Sequence, residues 1–268
     1  MKTDMAVVFS PGYANHRYDH SASVQLLMNG ADPNTSLQQA AYATGILQSA
    51  VGVNVSAVNT KLLYNPQMKS AYNFVPGIMG LLLLVICAMM TSVSIVKEKE
   101  RGTMEVLLVS PVRPIMILVA KVVPYLLLSL GIVGIILGIA HYVLNVPIAG
   151  NLVAIYGVTM LYILLALGLG LLVSVLANTQ LAALLGSGMV LLMPSLLLSG
   201  MIYPMESMAK ILQYISVIVP ARWYIDAIHK LMIMGVGVDM VMKNVLILSV
   251  MALFFITIAF KKFKKRLE

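Results

Sequence analysis

Residues 97–114 read KEKERGTMEVLLVSPVRP and form the only dense cluster of charge between two long apolar runs of the sequence. Four cations lie within this short stretch: Lys97, Lys99, Arg101 and Arg113. Short loops rich in lysine and arginine remain on the cytoplasmic side of a membrane. We therefore expect this segment, called the elbow below, to connect two membrane spans on the cytoplasmic side.

The elbow carries signals for a local break followed by a second short helix. Gly102 is predicted to end the helix that leaves the membrane, and Thr103 is predicted to cap the next one. Met104, Leu107 and Leu108 recur at the i, i+3, i+4 spacing and share one face of that second helix. Two interpretations remain open: an apolar surface that binds a partner, or a juxtamembrane helix that lies in the lipid headgroups.

Composition excludes an ordinary soluble protein. Of the 268 residues, 60% are hydrophobic and 10% are charged, and the mean hydropathy is +0.94. The net charge of +8 would suit nucleic-acid binding, but much of it follows the last apolar run directly. Because such a basic cluster is typical of an anchor on anionic lipid, we predict membrane lipid and no nucleic acid as a partner. The cluster consists of Lys261, Lys262, Lys264, Lys265 and Arg266.

Five apolar segments are predicted to cross the membrane. The shortest is the last one, whose length is marginal unless the preceding tract contributes. Lys121 in the second segment is expected to extend toward the cytoplasmic surface. Gly168 and Gly170 in the third predict close helix packing. The predicted spans are residues 75–96, 115–140, 152–176, 181–200 and 244–260.

The predicted fold is an α-helical integral membrane protein with a small N-terminal α+β extracytoplasmic domain. Five crossings with the elbow inside place residues 1–75 and the 201–244 connection outside. Strands are predicted at 5–9 and 23–28 and a helix at 36–50 in the domain that covers residues 1–75, and residues 76–268 form the transmembrane domain. His16 and His20 share a helical spacing, but neighbouring Pro11 and Gly12 favour a loop, so no metal site is predicted.

The 201–244 connection reads as two amphipathic helices that dip into the outer leaflet. Pro220 ends the first, whose apolar face is Met208, Ile211, Leu212, Ile215 and Ile218 and whose polar face is Glu206, Lys210, Gln213 and Ser216.

The second amphipathic helix begins just after that proline. Arg222, Asp226 and Lys230 recur at the i, i+4 spacing and predict a ladder of ion pairs on its surface. Trp223 and Tyr224 are interpreted as aromatic anchors at the membrane interface.

Two stretches together resemble the permease subunits of ABC-2 type exporters. One is the elbow, and the other is LSGMIYPMESMAKILQYISVIVPARWYIDAIH at residues 198–229. In addition, VQLLMNGADPNT at residues 24–35 is similar to the extracytoplasmic domain of the subgroup with a large first external loop. The resemblance covers most of the chain. The resemblance implies a six-span subunit, and we expect this sequence to lack the family's first span, as a truncated or split gene product would.

The resemblance implies a multidrug-type export permease of the bacterial inner membrane, paired with a second permease subunit as a homodimer or heterodimer. It also implies a separate ABC ATPase, no cofactor and no metal. The residues implied in ATPase coupling are Glu98, Glu100, Arg101, Met104, Leu107 and Leu108. The residues implied in the re-entrant external region are Pro204, Glu206, Pro220, Arg222 and Asp226.

The sequence contains no GxxxxGK[ST] phosphate-binding loop, so we expect no ATP hydrolysis by this chain and no enzymatic activity. Two other classes stay open: an ion-coupled carrier or channel, and a membrane-anchored assembly or sensor protein. A carrier usually keeps charged residues near the middle of the membrane, whereas residues 122–205 contain no Asp, Glu, Lys or Arg. The substrate is not specified by a pathway rich in Leu, Met and Gly.

Overall fold

The computed structural model describes residues 5–9, 24–28, 41–46, 49, 71–103, 114–202 and 208–265. The chain separates into two compact units, Met1–Ser70 and Ala71–Glu268. In the first unit, strand β1 (Met5–Phe9) pairs antiparallel with strand β2 (Val24–Met28). Residues 41–46 are helical. Both predicted strands are therefore confirmed, the second beginning one residue later than expected. His16 and His20 lie outside the described residues.

The second unit consists of helices, and its described part contains five that are long and apolar enough to cross a membrane. The predicted class, an α-helical integral membrane protein with five spans, is confirmed. In chain order the helices are α1 (Ala71–Glu100), α2 (Pro114–Tyr142), α3 (Leu152–Leu176), α4 (Gln180–Leu198), α5 (Lys210–Ser216), α6 (Pro220–Met232) and α7 (Val238–Lys265). The spans are α1, α2, α3, α4 and α7. Because α7 begins at Val238 rather than at Asn244, the last span is not marginal in length.

Helices α1 and α3 form the centre of the bundle. Their core side chains, such as Leu83 and Ile163, are completely buried. Helices α2, α4 and α7 carry large exposed apolar residues, among them Leu127, Leu181 and Leu246. A helix that faces lipid needs no polar outer face, so this exposed apolar surface is expected in a membrane. The short helix α6 packs against α1, α3 and α7 within the same core.

Two glycines of α3 confirm the predicted close helix packing. A Cβ added at Gly168 would lie 2.9 Å from the Cγ1 atom of Ile256 on α7. At Gly170 it would lie 2.6 Å from the carbonyl oxygen of Ala88 on α1. The backbones of α1 and α3 therefore approach at a distance that only glycine permits at position 170.

Helix α4 changes its winding along its length. It is α-helical at Gln180–Leu185 and Met193–Leu198, and the intervening Gly186–Leu192 is a π-helix. The Thr179 side chain accepts a hydrogen bond from the backbone N–H of Ala182 and so caps the start of α4. Among the described elements, α4 is the only span that contains a π-helical segment. Such turns are uncommon and are often found at functional sites.

Candidate functional site

The helix break that the sequence predicted at Gly102 is confirmed. Helix α1 ends at Glu100, and Gly102 adopts a positive φ of 71°, a conformation that glycine reaches without steric cost. The Thr103 hydroxyl donates a hydrogen bond to the carbonyl oxygen of Glu98 at 3.2 Å, so it serves the end of α1. The predicted apolar coupling residues fall outside the described residues: Met104, Leu107 and Leu108.

Glu98, an implied coupling residue, forms an ion pair with Lys121 of α2. The Lys121 side chain is 31% exposed and the Glu98 side chain 21%. Lys121 therefore does not simply extend to the surface, as its place near the end of an apolar span suggested. It meets a carboxylate from the neighbouring span, because α1 continues beyond its apolar part and lies beside the first turns of α2.

Lys99 and Glu100 contact the turn that joins α3 to α4. The Lys99 ammonium donates a hydrogen bond to the carbonyl oxygen of Ser174 in the last turn of α3. A Glu100 carboxylate oxygen accepts from the backbone N–H of Gln180 at 3.2 Å and from its side-chain amide at 2.8 Å. Of the polar residues implied in coupling, Glu98 and Glu100 thus bind neighbouring helices, whereas Arg101 is exposed.

Helix α6 lies at the other end of the bundle and is buried through an aromatic stack. Tyr224 is 0% exposed, and its ring stacks on that of Tyr162 with centroids 4.0 Å apart and an interplanar angle of 6°. The Tyr224 hydroxyl lies 3.0 Å from the Thr159 hydroxyl. The Tyr162 hydroxyl donates to the carbonyl oxygen of Gly80 at 3.0 Å. The interpretation of Tyr224 as an interfacial anchor is therefore wrong.

Gly80 of α1 makes room for α6 in the bundle. A Cβ at Gly80 would lie 2.9 Å from side-chain atoms of Tyr224 and Ile225. Glycine at this position of α1 opens a space that α6 fills with its apolar face. Helix α6 therefore packs its apolar face against protein, on α1, α3 and α7, rather than presenting that face to lipid.

Helix α5 fits the outer-leaflet prediction better. Its apolar residues Ile211 and Tyr214 are 73% and 77% exposed, whereas Ser216 is buried. The polar side faces the protein, where the Arg222 guanidinium donates to the Gln213 carbonyl oxygen at 3.2 Å and to the Ser216 hydroxyl. An exposed apolar side with a protein-bound polar side is the arrangement expected of a helix lying against lipid. Pro204 and Glu206 lie outside the described residues, and Pro220 is the first residue of α6.

Asp226 joins α6 to the last span. One of its carboxylate oxygens lies 2.6 Å from the Lys230 ammonium, which confirms that rung of the predicted ladder. The same oxygen accepts from the Asn244 amide at 2.7 Å, and this amide also donates to the Trp223 carbonyl oxygen at 3.2 Å. Asn244 is buried. The sequence analysis did not identify Asn244 as a contact residue, although an amide at the start of an apolar segment was a usable signal. The other rung of the predicted ladder is absent from the described contacts, because Arg222 binds α5 rather than Asp226.

The C-terminal end of α6 is held by the connection between α2 and α3. The Ala149 N–H donates to the Met232 carbonyl oxygen at 2.9 Å. A Cβ at Gly150 would lie 2.0 Å from the Leu231 carbonyl oxygen, so the two backbones nearly touch. Burial lowers the pKa of the His229 imidazole on the same helix. Both ends of α6 are thus fixed to the bundle.

The described residues contain no group of three or more His, Cys, Asp or Glu side chains that could hold a metal ion. The polar side chains at both ends of the bundle form bridges between helices instead. The described residues thus place a charged elbow at one end of a bundle of five apolar helices, and the buried amphipathic helix α6 at the other.

The sequence comparisons give the class. A family model described as ABC-2 family transporter protein matches residues 1–261, so the chain belongs to this family of ABC transporter permeases. It is 29% identical over 262 residues to the probable multidrug ABC transporter permease YbhS of Escherichia coli K12, covering 94% of this chain and 70% of that protein.

Two other relatives extend the comparison. The chain is 31% identical over 232 residues to the probable multidrug ABC transporter permease YbhR of Escherichia coli K12, covering 84% of this chain and 63% of that protein. It is 29% identical over 229 residues to ABC transporter G family member 20 of Dictyostelium discoideum, covering 82% and 31%. No solved structure matches the chain significantly. The protein is a multi-pass membrane permease of the ABC-2 family.

Proposed function

We propose that this permease belongs to an ATP-driven exporter that moves amphipathic or hydrophobic compounds out across the bacterial inner membrane. Two relatives are named as probable multidrug permeases, and another relative is named an inner membrane transport permease, YhhJ of Escherichia coli K12. The spans carry a predominantly apolar surface, which suits substrates that partition into lipid. Energy comes from a separate ABC ATPase subunit that binds the elbow.

The observation that carries this proposal is the position of the last turn of α1. It forms the first residues of the elbow and contacts α2, the end of α3 and the start of α4. A subunit that binds the elbow at Met104, Leu107 and Leu108 therefore acts on three further spans through one helix. Arg101, exposed at the same turn, is available at the edge of that surface.

A second permease subunit completes the pathway. Helix α1 is mostly buried, yet Phe74, Ile78 and Leu82 form an exposed apolar stripe at the i, i+4, i+8 spacing. Together with lipid, a second copy or a related permease covers this stripe. The basic residues at the end of α7 bind anionic lipid at the cytoplasmic surface.

Replacing Leu108 by aspartate tests the elbow as the ATPase contact. Burying a leucine contributes about 1.5 to 3 kcal/mol, so Leu108→Asp is expected to weaken ATPase association by about tenfold or more. The measurement is the amount of ATPase that copurifies with tagged permease solubilised from the native host. Membrane insertion is expected to remain, because the spans are unchanged.

Val143→Asp is the matched control. Val143 is an exposed apolar residue just after α2, at the end of the bundle opposite the elbow. It is expected to retain the full amount of ATPase. If wild type brings down no ATPase, or if Leu108→Asp brings down as much as Val143→Asp, the elbow is not the coupling surface and the exporter proposal loses its support.

A further inference from the structure

One turn of α1 satisfies helix ends on both sides of the α3–α4 turn. The last carbonyl groups of a helix have no intrahelical partner, and neither do its first N–H groups. Lys99 supplies a donor to the Ser174 carbonyl oxygen near the end of α3. Glu100 supplies an acceptor to the Gln180 N–H at the start of α4. Each side chain also has the charge that the helix dipole at that end favours.

Glu98 adds a third connection from the same turn. Its partner Lys121 is the only Asp, Glu, Lys or Arg within α2. Both side chains are largely covered by protein, so removing either one leaves the other partly desolvated and unpaired. Three successive residues, 98 to 100, therefore bind α2, α3 and α4 in turn.

We propose that Glu98, Lys99, Glu100, Lys121 and Gln180 form a polar junction that carries the movement of the elbow to the other spans. This inference rests on the proposed function and specifies how it operates. The two glutamates act as positioning residues: they orient α1 against its neighbours and make no contact with the ATPase. The ATPase binds the apolar side of the elbow, and the junction passes its displacement to α2 and to the α3–α4 turn.

The close contact between α1 and α3 supports this route. Near Gly170 the two backbones are in close contact, so on this proposal α3 follows a displacement of α1. Helix α4 and helix α2 lack such a glycine-mediated backbone contact with α1 among the described residues. Their connection to the elbow depends on the Glu100–Gln180 and Glu98–Lys121 contacts.

Charge reversal separates positioning from binding. In the permease–ATPase complex purified from the native host and placed in proteoliposomes, ATP hydrolysis is measured per copurified ATPase subunit. Glu98→Lys and Lys121→Glu are each expected to lower this rate about tenfold, while the amount of copurified ATPase stays within about twofold of wild type. The double reversal restores the pair and is expected to return the rate to within about threefold of wild type.

Two further variants give the controls. Lys243→Glu reverses an exposed charge near the start of α7, at the end of the bundle away from the junction, and is expected to leave the rate unchanged. Glu100→Gln keeps an acceptor oxygen for Gln180 and is expected to keep most of the ATP hydrolysis rate. Glu100→Lys has no acceptor oxygen and is expected to lose most of that rate. This pair remains informative if a single reversal at position 98 or 121 lowers membrane insertion.

The outcomes are distinguishable. If wild-type permease copurifies with no ATPase, both the proposed function and this inference are wrong. If wild-type permease copurifies with ATPase, and the complexes with single charge reversals hydrolyse ATP at the wild-type rate, only this inference is wrong. A parallel loss of bound ATPase and rate would make Glu98 an ATPase contact, and a double reversal as inactive as the single ones would exclude a pairwise junction. Either result overturns the positioning role.

Discussion

Tyr224 was expected at the membrane interface, and the structure buries it in the helix core. A tyrosine beside tryptophan on an amphipathic helix is typical of a membrane interface. Here the ring is buried against Tyr162, and the Thr159 hydroxyl is its hydrogen-bonding neighbour. A buried hydroxyl needs such a partner, which Thr159 of α3 supplies. Tyr224 is therefore a core residue that fixes α6 to the bundle.

Truncating this ring tests the assignment. Tyr224→Ala removes the stack and leaves a cavity, and we expect a loss of about 3 to 5 kcal/mol of stability. Tyr224→Phe keeps the stack and loses one hydrogen bond, for an expected cost of about 0.5 to 1.5 kcal/mol. Thermal unfolding of the purified protein in detergent measures both. Exposed Tyr214 on α5 provides the control, and a Tyr214→Ala variant as unstable as Tyr224→Ala would contradict the assignment.

At the scale of elements, glycine contacts decide how the helices pack. Gly170 lets α3 reach the backbone of α1, Gly168 lets it reach α7, and Gly80 receives α6. In lipid the hydrophobic effect does not drive helices together, so close packing of small residues contributes much of the association. The core arrangement of α1, α3, α6 and α7 therefore depends on a few positions without side chains.

Leucine at these positions is expected to disrupt the bundle. At Gly170 the added side chain would meet backbone atoms of Ala88, which cannot rotate away. Overpacking of this kind costs about 1 to 3 kcal/mol or more. We therefore expect Gly170→Leu to lower the yield of folded protein several-fold. Gly157→Leu lies on the same helix where no described atom is within 4 Å of an added Cβ. Equal yields of the two variants in detergent gel filtration would argue against the contact.

The whole molecule places its polar contacts at two ends. Glu98, Lys99 and Glu100 lie with Lys121 and Gln180 at one end, and the contacts of Ala149 with Met232 and of Asp226 with Asn244 lie at the other. The elbow end is predicted to be cytoplasmic because it carries the basic residues.

Single cysteines are expected to report this orientation. In a Cys87→Ser background, Val143→Cys and Lys210→Cys should react with an impermeant thiol reagent added to intact cells, and Arg101→Cys should react only after permeabilisation. All three positions are exposed. Cys87 is buried with Ser129 at 3.0 Å, so serine suits its site. Labelling of position 101 in intact cells would reverse the predicted topology.

The sequence alone determined the class of the protein, the five spans and the break at Gly102, because length, hydropathy and backbone freedom are local properties. It also predicted the contacts of Gly168 and Gly170, since small residues in apolar helices have few other uses. Only the tertiary structure decided that Tyr224 is buried, that α5 turns its polar side to Arg222 and that Glu98 meets Lys121. The same amphipathic pattern suits a lipid surface and a protein surface, and the two are distinguished only when neighbouring helices supply a glycine-lined space or an opposite charge.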